Sequence, residues 1–259
     1  FNMRVITLAN QKGGVAKTTT SSALASGLSN RGKKVLAIDL DPQSNFTLSC
    51  GVDVLSFEET IYNVFKGETT IEKVITATPL GYDLIPGGLN LAGADMEFTQ
   101  LGREKMLAKA LSKIKANYDF IIIDTPPTLG IITANALIAS DYLIVPMAAD
   151  IYSIQGLSQL SGFVENVYDN GNPELKIAGL LITKFNGRQN LSKALIDQIE
   201  AAAEQLQTKV FENRIRESVA IREAALLQSD IFKEAPKSNA TVDYSNFIDE
   251  FLGGINDGK

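Results

Sequence analysis

Histidine and tryptophan are absent from the 259 residues of this chain, and cysteine occurs once. Without histidine, the chain has no imidazole to act as a general base or to bind zinc, so both kinds of site are excluded. The single Cys50 excludes an intramolecular disulfide and a cysteine-ligated cluster within one chain, and it is typical of a reducing compartment. No run of about 18 consecutive apolar residues occurs, so no membrane-spanning helix is predicted.

An excess of positive charge is also missing, since the formal net charge is −6. Overall composition therefore gives no sign of nucleic-acid binding, and any surface for DNA would have to be local. The length and the hydrophobic fraction of 45% allow one substantial core. Because no internal repeat or linker is visible, we predict a single domain over residues 3–259. The first predicted strand begins near residue 4 and leaves no room before it for a helix-turn-helix module.

Several short stretches are apolar at almost every position rather than at every second one. Continuous hydrophobicity indicates strands covered on both faces, as in a parallel sheet, and stretches with helical spacing alternate with them. The sequence therefore predicts an α/β fold with a doubly wound, mostly parallel sheet flanked by helices. The predicted strands are 4–9, 34–38, 82–85, 120–123, 142–146 and 175–183, and the predicted helices are 18–30, 104–115, 133–139, 153–168, 191–206, 219–227 and 241–252.

The first predicted strand leads into a glycine turn that ends in lysine and threonine. Strand, glycine turn, lysine, hydroxyl and helix follow in the order that a phosphate-binding loop requires. Backbone N–H groups can hold an anion, Lys17 adds a positive charge, and the Thr18 hydroxyl can reach magnesium. Gln11 and Ala16 replace the usual glycines, and Ala16 is tolerable if its φ stays negative. The predicted nucleotide-binding residues are Lys12, Gly13, Gly14, Val15, Ala16, Lys17, Thr18 and Thr19.

Aspartates follow two other predicted strands, those that end near residues 38 and 123. Ligands of open parallel sheets bind at the carboxyl ends of the strands, so these aspartates should converge on the phosphate loop. Magnesium prefers hard oxygen ligands, and we predict a metal site formed by Thr18, Asp39 and Asp124. Asp41 is our candidate for positioning the attacking water. We expect Asp39 to support the loop that carries Asp41 as well as the metal site.

The run from Lys12 to Thr18 resembles the deviant Walker A motif of the superfamily that includes the ParA and Soj partition ATPases, MinD and nitrogenase iron protein. Asp39-Leu40-Asp41-Pro42-Gln43 and Asp124-Thr125-Pro126-Pro127 match the two switch loops of the ParA and Soj pattern, and the resemblance covers nearly the whole chain. It implies ATP hydrolysis with Mg²⁺, with Lys12, Lys17 and Asp41 as catalytic residues. It also implies an ATP-sandwich homodimer in which Lys12 reaches across to the partner's nucleotide.

The resemblance further implies that the ATP dimer binds DNA without sequence preference. A ParB-type centromere-binding partner would stimulate hydrolysis and so move plasmid or chromosome origins, in the cytoplasm and on the nucleoid. Arg188 matches a family arginine implicated in DNA contact. The predicted DNA-contact residues are Lys184, Arg188, Arg214, Arg216 and Arg222, and the alternative is an ordinary solvated helix face with acidic neighbours.

Three other functions fit parts of the same pattern. A ParA-like ATPase that positions another cargo would use identical ATPase residues. A MinD-like membrane-surface switch would need a basic amphipathic C-terminal helix, whereas the end of this chain is acidic. An iron–sulfur reductase like nitrogenase iron protein would need two cysteines per chain and is excluded by the single Cys50.

Overall fold

The computed structural model describes residues 3–186 and 193–257. Seven strands form one sheet, namely β1 (Arg4–Leu8), β2 (Val35–Asp39), β3 (Thr76–Ala77), β4 (Asp83–Ile85), β5 (Phe120–Asp124), β6 (Tyr142–Ala148) and β7 (Lys176–Thr183). Their order across the sheet is β3-β4-β2-β5-β1-β6-β7. All neighbouring pairs are parallel except β3 with β4, so the predicted mostly parallel sheet is confirmed.

Helices connect the strands and cover the sheet. They are α1 (Lys17–Ser29), α2 (Asn45–Ser49), α3 (Ile61–Lys66), α4 (Ala94–Glu97), α5 (Met106–Leu111), α6 (Ile131–Ile138), α7 (Ile151–Asn170), α8 (Lys193–Gln205), α9 (Val219–Leu226), α10 (Ile231–Glu234) and α11 (Asn239–Asp257). Within the described ranges, no helix has the length and apolar character needed to cross a membrane.

The sheet is buried on both faces. Consecutive side chains of its central strands point to opposite sides, and a separate core cluster covers each side. On one face, Ile6 and Leu8 of β1 belong to the same core cluster as Leu24 of α1 and Phe247 of α11. On the other face, Val5 of β1 joins a second core cluster with residues of α3, α5 and α6. This two-sided burial is the physical reason for the continuous hydrophobicity of the strands.

The strand register brings three strand ends to one point. Leu8 of β1 and Asp39 of β2 both lie opposite Asp124 of β5, and Leu8 also lies opposite Ile144 of β6. The chain passes to β2 on one side of β1 and later to β6 on the other side. Such a reversal of strand order opens a crevice at the carboxyl edge, where ligands bind in open α/β sheets.

The structure differs from the predicted elements mainly in short segments. The helix predicted over 104–115 contains an α-helix only from Met106 to Leu111, since no side chain caps its start. It is followed by hydrogen bonds that span three residues and not four, as from the Ile114 N–H to the Leu111 carbonyl. The strand β3 and the helices α2, α3, α4 and α10 were not predicted, because two to six residues are too few to show a period. The predicted start of a helix at 191 lies outside the described residues.

Candidate functional site

The buried side chain of Asn10, which is 2% exposed, anchors the loop between β1 and α1. The Asn10 side chain donates to the carbonyl of Pro146 at 2.8 Å and accepts from the Lys12 N–H at 3.0 Å. Gly14 has a φ of 72°, a left-handed conformation that glycine adopts without a steric cost. The loop is thus a fixed turn whose N–H groups precede a helix start, which is the arrangement that binds phosphate.

Ala16 has a φ of 61° and a ψ of 33°, so the condition of a negative φ, under which alanine would be tolerated without strain, is not met. The residue immediately precedes α1, and its carbonyl accepts both the N–H of Thr20 at 2.9 Å and the Thr20 hydroxyl at 2.7 Å. These bonds close the first turn of α1 and hold the alanine in a left-handed conformation. That conformation costs about 1–2 kcal/mol for a residue with a Cβ atom.

Lys17 is 7% exposed and lies inside its own loop. Its ammonium donates to the backbone carbonyls of Asn10 at 3.0 Å and of Lys12 at 3.4 Å. Burial lowers the pKa of Lys17, against the opposing charges of Asp124 and Asp41. Among the described residues, this buried ammonium is held by neutral carbonyl oxygens, so its positive charge is well placed to bind a nucleotide phosphate.

Asp124 is fully buried at the end of β5 and accepts two hydroxyl hydrogen bonds from α1. Thr18 donates to it at 2.6 Å and Ser21 donates at 2.8 Å. Burial, followed by the charge of Asp39, raises the pKa of Asp124 to about 7. Ser21 was missed by the sequence reasoning, although it stands one helical turn after Lys17.

The hydroxyl of Thr18 and the carboxylate of Asp124 are the hard oxygen donors that suit magnesium. Among the residues of 3–186 and 193–257, no three acidic side chains are grouped closely enough to hold a metal by themselves. Magnesium at this point would therefore complete its shell with phosphate oxygens and water, as it does in nucleotide sites. The residues present fit that ion.

Asp39 is fully buried at the end of β2, and the next loop folds around it. Its carboxylate accepts from the Asp41 N–H at 3.0 Å and from the N–H and the hydroxyl of Thr47, each at 2.8 Å. Burial raises the pKa of Asp39 to about 6, although the Thr47 hydrogen bonds act in the opposite direction. These contacts support the predicted role of Asp39 in holding the loop.

Asp41 is 8% exposed, and its carboxylate accepts from the Gln43 N–H at 2.9 Å. The loop that carries Asp41 packs closely on Gly87. A methyl group added to Gly87 would lie 3.0 Å from the Asp39 carbonyl and 3.1 Å from the Asp41 carbonyl. Gly87 is therefore a site residue that the sequence reasoning missed, because its importance depends on a contact between distant segments.

Lys12 does not point into its own phosphate loop. Its ammonium lies between the two carboxylate oxygens of Asp150, at 2.7 and 2.8 Å, and donates to the Ser153 hydroxyl at 3.1 Å. Partial burial pushes the pKa of Asp150 upward, but the hydrogen bonds from Lys12 and Ser153 outweigh it and hold the pKa below its ordinary value. Asp150 also caps the start of α7 and was not predicted.

The predicted DNA-contact residues occupy different environments. Arg216 binds Asp243 at 2.6 Å, Arg214 lies over the Phe185 ring at 5.4 Å, and Arg222 has a weak ion pair of 3.8 Å with Glu217. Lys184 approaches the phosphate loop at Gly14 instead. Arg188 lies outside the described residues.

A cavity of about 630 Å³ opens next to the phosphate loop. Thr18 and Thr19 of α1 line it on one side, Asn45 and Leu48 of α2 on another, and residues of α9 close it. The cavity therefore lies between α1, α2 and the helix that carries Arg222.

A family model described as an AAA domain matches residues 3–177 of this chain. The chain is 37% identical over 249 residues to the sporulation initiation inhibitor protein Soj of Bacillus subtilis (strain 168), covering 95% of this chain and 97% of Soj. It is 35% identical to the chromosome partitioning protein ParA of Myxococcus xanthus (strain DK1622), covering 93% of this chain and 85% of that protein.

A similar solved structure is that of cobyrinic acid a,c-diamide synthase from Mycobacterium smegmatis, with a bound ATP analogue and magnesium. Its TM-score is 0.85 at 32% sequence identity, and the match covers 99% of this chain and 97% of that one. The same fold therefore holds an ATP analogue and magnesium in that protein.

Proposed function

Because this chain belongs to the AAA-domain family that contains the Soj and ParA partitioning proteins, we propose that it segregates DNA as an ATP-dependent homodimer. The chain is a P-loop ATPase that uses ATP and magnesium. Beyond this, we propose that it forms a sandwich dimer, has a DNA-binding surface, and has a ParB-type partner that stimulates hydrolysis.

The position of Lys12 is the main observation in support of the proposed dimer. Lys17 already occupies its own loop, whereas the Lys12 ammonium is held outside it by Asp150, with side chains that are 32% and 37% exposed. A partly exposed lysine at the mouth of a phosphate site is in position to contact an anion presented by a second copy. We propose that Lys12 leaves Asp150 and contacts the partner's ATP, where it stabilises the charge of phosphoryl transfer.

Exposed apolar side chains in three segments support a covered surface. These segments follow β2, β4 and β6 in the chain. Apolar residues in such loops mark interaction sites when several of them share one edge of a protein. The residues concerned are Leu48 at 41%, Leu55 at 91%, Leu89 at 72%, Met96 at 90%, Ile151 at 54% and Tyr152 at 72% exposure.

In the proposed reaction, Asp41 orients a water molecule for attack on the γ-phosphorus, and ADP is the leaving group. Lys17 holds the phosphates from within the loop, and Thr18 with Asp124 would hold magnesium, which neutralises charge on the transferred group. Asp39 keeps Asp41 in place through the 3.0 Å bond to its N–H. Hydrolysis removes the γ-phosphate that both subunits grip, so the dimer separates.

For the DNA surface, we propose Arg214 and Arg222 together with Arg188. The ion pair of Arg222 is long, at 3.8 Å, and its side chain is 66% exposed, so it is available for phosphate oxygens. Arg216 is bound tightly to Asp243 and is better explained as a structural residue. A ParA-like ATPase that positions another cargo would have the same ATP site. Stimulation of hydrolysis by a ParB-type partner would distinguish DNA partition from that alternative.

The membrane-surface alternative loses support from the packing of α11. Its apolar residues Phe247, Phe251 and Ile255 are buried in the core of the protein. Exposing them to a lipid surface would remove part of that core. Co-sedimentation with anionic liposomes in the presence of ATP tests this point, and we expect the protein to stay in the supernatant.

The proposed function is tested by sedimentation of the protein with ADP and with ATP, using three variants. Asp41→Ala should form a stable ATP dimer that does not turn over, whereas Lys17→Ala should stay monomeric because it binds no nucleotide. Lys12→Ala should bind ATP without forming the dimer. A monomeric Asp41→Ala protein at saturating ATP would contradict the sandwich dimer.

DNA binding is tested separately, by retention of the ATP-bound Asp41→Ala protein on DNA at two salt concentrations. Retention should fall steeply with salt, because lysine and arginine contacts to phosphates release counterions. Adding Arg222→Glu should weaken retention without changing ATP binding. Retention that is unaffected by salt and by Arg222→Glu would contradict the proposed surface.

A further inference from the structure

Lys184 follows β7 directly and reaches the phosphate loop. A methyl group added to Gly14 would lie 3.9 Å from the ammonium nitrogen of Lys184. Lys184 is itself exposed, and so is Gly14. The sequence grouped this lysine with the DNA-contact residues, but its charge is placed at the mouth of the nucleotide site.

The residues on either side of Lys184 are fixed by hydrogen bonds. The buried Thr183 hydroxyl contacts the carbonyl of Val15 in the phosphate loop at 3.0 Å and that of Met147 at 3.2 Å. On the other side, the Phe185 N–H donates to the Ile215 carbonyl at 2.9 Å. The end of β7 is thereby tied to the phosphate loop, and Lys184 cannot drift from it without breaking these bonds.

Lys184 has a φ of 52°, in the left-handed region that residues with a Cβ atom rarely adopt. A strained backbone persists only where the surrounding structure enforces it, and such strain clusters at functional sites. Glycine or asparagine would fit this conformation with less strain, yet the chain has a lysine here. The observation therefore favours a role for the lysine side chain.

Charge pairing distinguishes Lys184 from the other two lysines of the site. Lys12 binds the Asp150 carboxylate, and Lys17 donates to loop carbonyls. In the part of the chain that the structure describes, no carboxylate lies within ion-pair distance of Lys184. Its positive charge at Gly14 thus faces the place where the phosphates of a nucleotide would bind.

We propose that Lys184 contacts the phosphate oxygens of bound nucleotide from the same subunit, as a third lysine of the site. The proposal rests on the proposed function in one respect, namely that the loop around Gly14 is the ATP site. It assigns Lys184 to nucleotide binding rather than to DNA. It also gives Thr183 a positioning role, because its hydrogen bond to Val15 keeps β7 beside the loop.

The test is titration of the protein with a fluorescent ATP analogue and with the matching ADP analogue. Lys184→Met keeps the length of the side chain and removes its charge, and Lys184→Arg restores the charge. Lys176→Gln is the matched control, since Lys176 is exposed at the opposite end of the same strand β7. We expect Lys184→Met to weaken binding about tenfold, equivalent to about 1.4 kcal/mol, and the other two variants to bind like the wild type.

Lys17→Ala separates failure of this inference from failure of the proposed site. If Lys17→Ala loses nucleotide while Lys184→Met binds it like the wild type, the site stands and the role of Lys184 is overturned. If Lys17→Ala still binds nucleotide, the phosphate loop itself is not the site. A Lys184→Met protein that binds ATP normally but loses retention on DNA at saturating ATP would return Lys184 to the DNA surface and overturn the inference.

Discussion

Replacing Ala16 with glycine should make the protein more stable. At a φ of 61°, the alanine carries a steric cost of about 1–2 kcal/mol that glycine does not have. Glycine also lowers the free energy of unfolding by about 0.4–1 kcal/mol, because it makes the unfolded chain more flexible. We therefore expect the free energy of unfolding to rise by about 0.5–1 kcal/mol, the difference of these two effects.

Thermal unfolding of the nucleotide-free protein measures this effect, with an expected rise in Tm of about 1–4 °C for a chain of this size. Ala25→Gly is the control, because Ala25 is fully buried in the interior of the same helix α1. There the same substitution should lower stability by about 1 kcal/mol. An Ala16→Gly protein as destabilised as Ala25→Gly would show that the left-handed conformation of Ala16 carries no steric cost.

Three further outcomes follow from the same structure. Burial raises the pKa of Asp124 from 3.8 to about 7, so the folded metal-free protein binds more protons than the unfolded chain in this range. Its free energy of unfolding should fall as pH rises from about 4 to 7. Asp124→Asn, measured by denaturant titration in EDTA, should abolish magnesium binding and remove the part of that slope above pH 6, whereas below pH 6 Asp39, whose pKa is raised to about 6, still contributes. Asp150→Asn keeps a capping residue but releases Lys12, so sedimentation with ATP should show dimers at several-fold lower protein concentration. Arg216→Ala should cost about 1–2 kcal/mol in thermal unfolding, because it removes the guanidinium that neutralises the buried Asp243 carboxylate and keeps the backbone N–H bond alone, whereas Arg222→Ala should leave Tm unchanged.

The sheet and the phosphate loop could be predicted from the sequence because their signals are local. A strand buried on both faces must be apolar at consecutive positions, as in β1, β2 and β5. The phosphate loop likewise depends on a short run of glycine, lysine and threonine at fixed spacing. Elements of only a few residues, such as α2 and β3, carry no such pattern, since they depend on packing against the rest of the chain.

The contacts that complete the site join distant segments and leave no local signal. Lys12 and Asp150 meet across 138 residues, and Thr183 contacts Val15 across 168. The left-handed conformation of Ala16 is set by how α1 leaves the loop, and alanine gives no sign of it. Even so, Ser21 could have been found from its spacing, since it faces the same side of α1 as Lys17.

Mixing two inactive variants shows whether Lys12 acts on the nucleotide of the other subunit. Lys12→Ala has an intact Asp41, and Asp41→Ala has an intact Lys12. In a mixed dimer, the site of the Lys12→Ala subunit receives Lys12 from its partner, so an equimolar mixture should recover up to about a quarter of the wild-type ATPase rate. If Lys12 acted within its own subunit, neither site of the mixed dimer would be complete. A mixture that sediments as mixed dimers but stays as inactive as each variant alone would therefore show that Lys12 does not act across the interface.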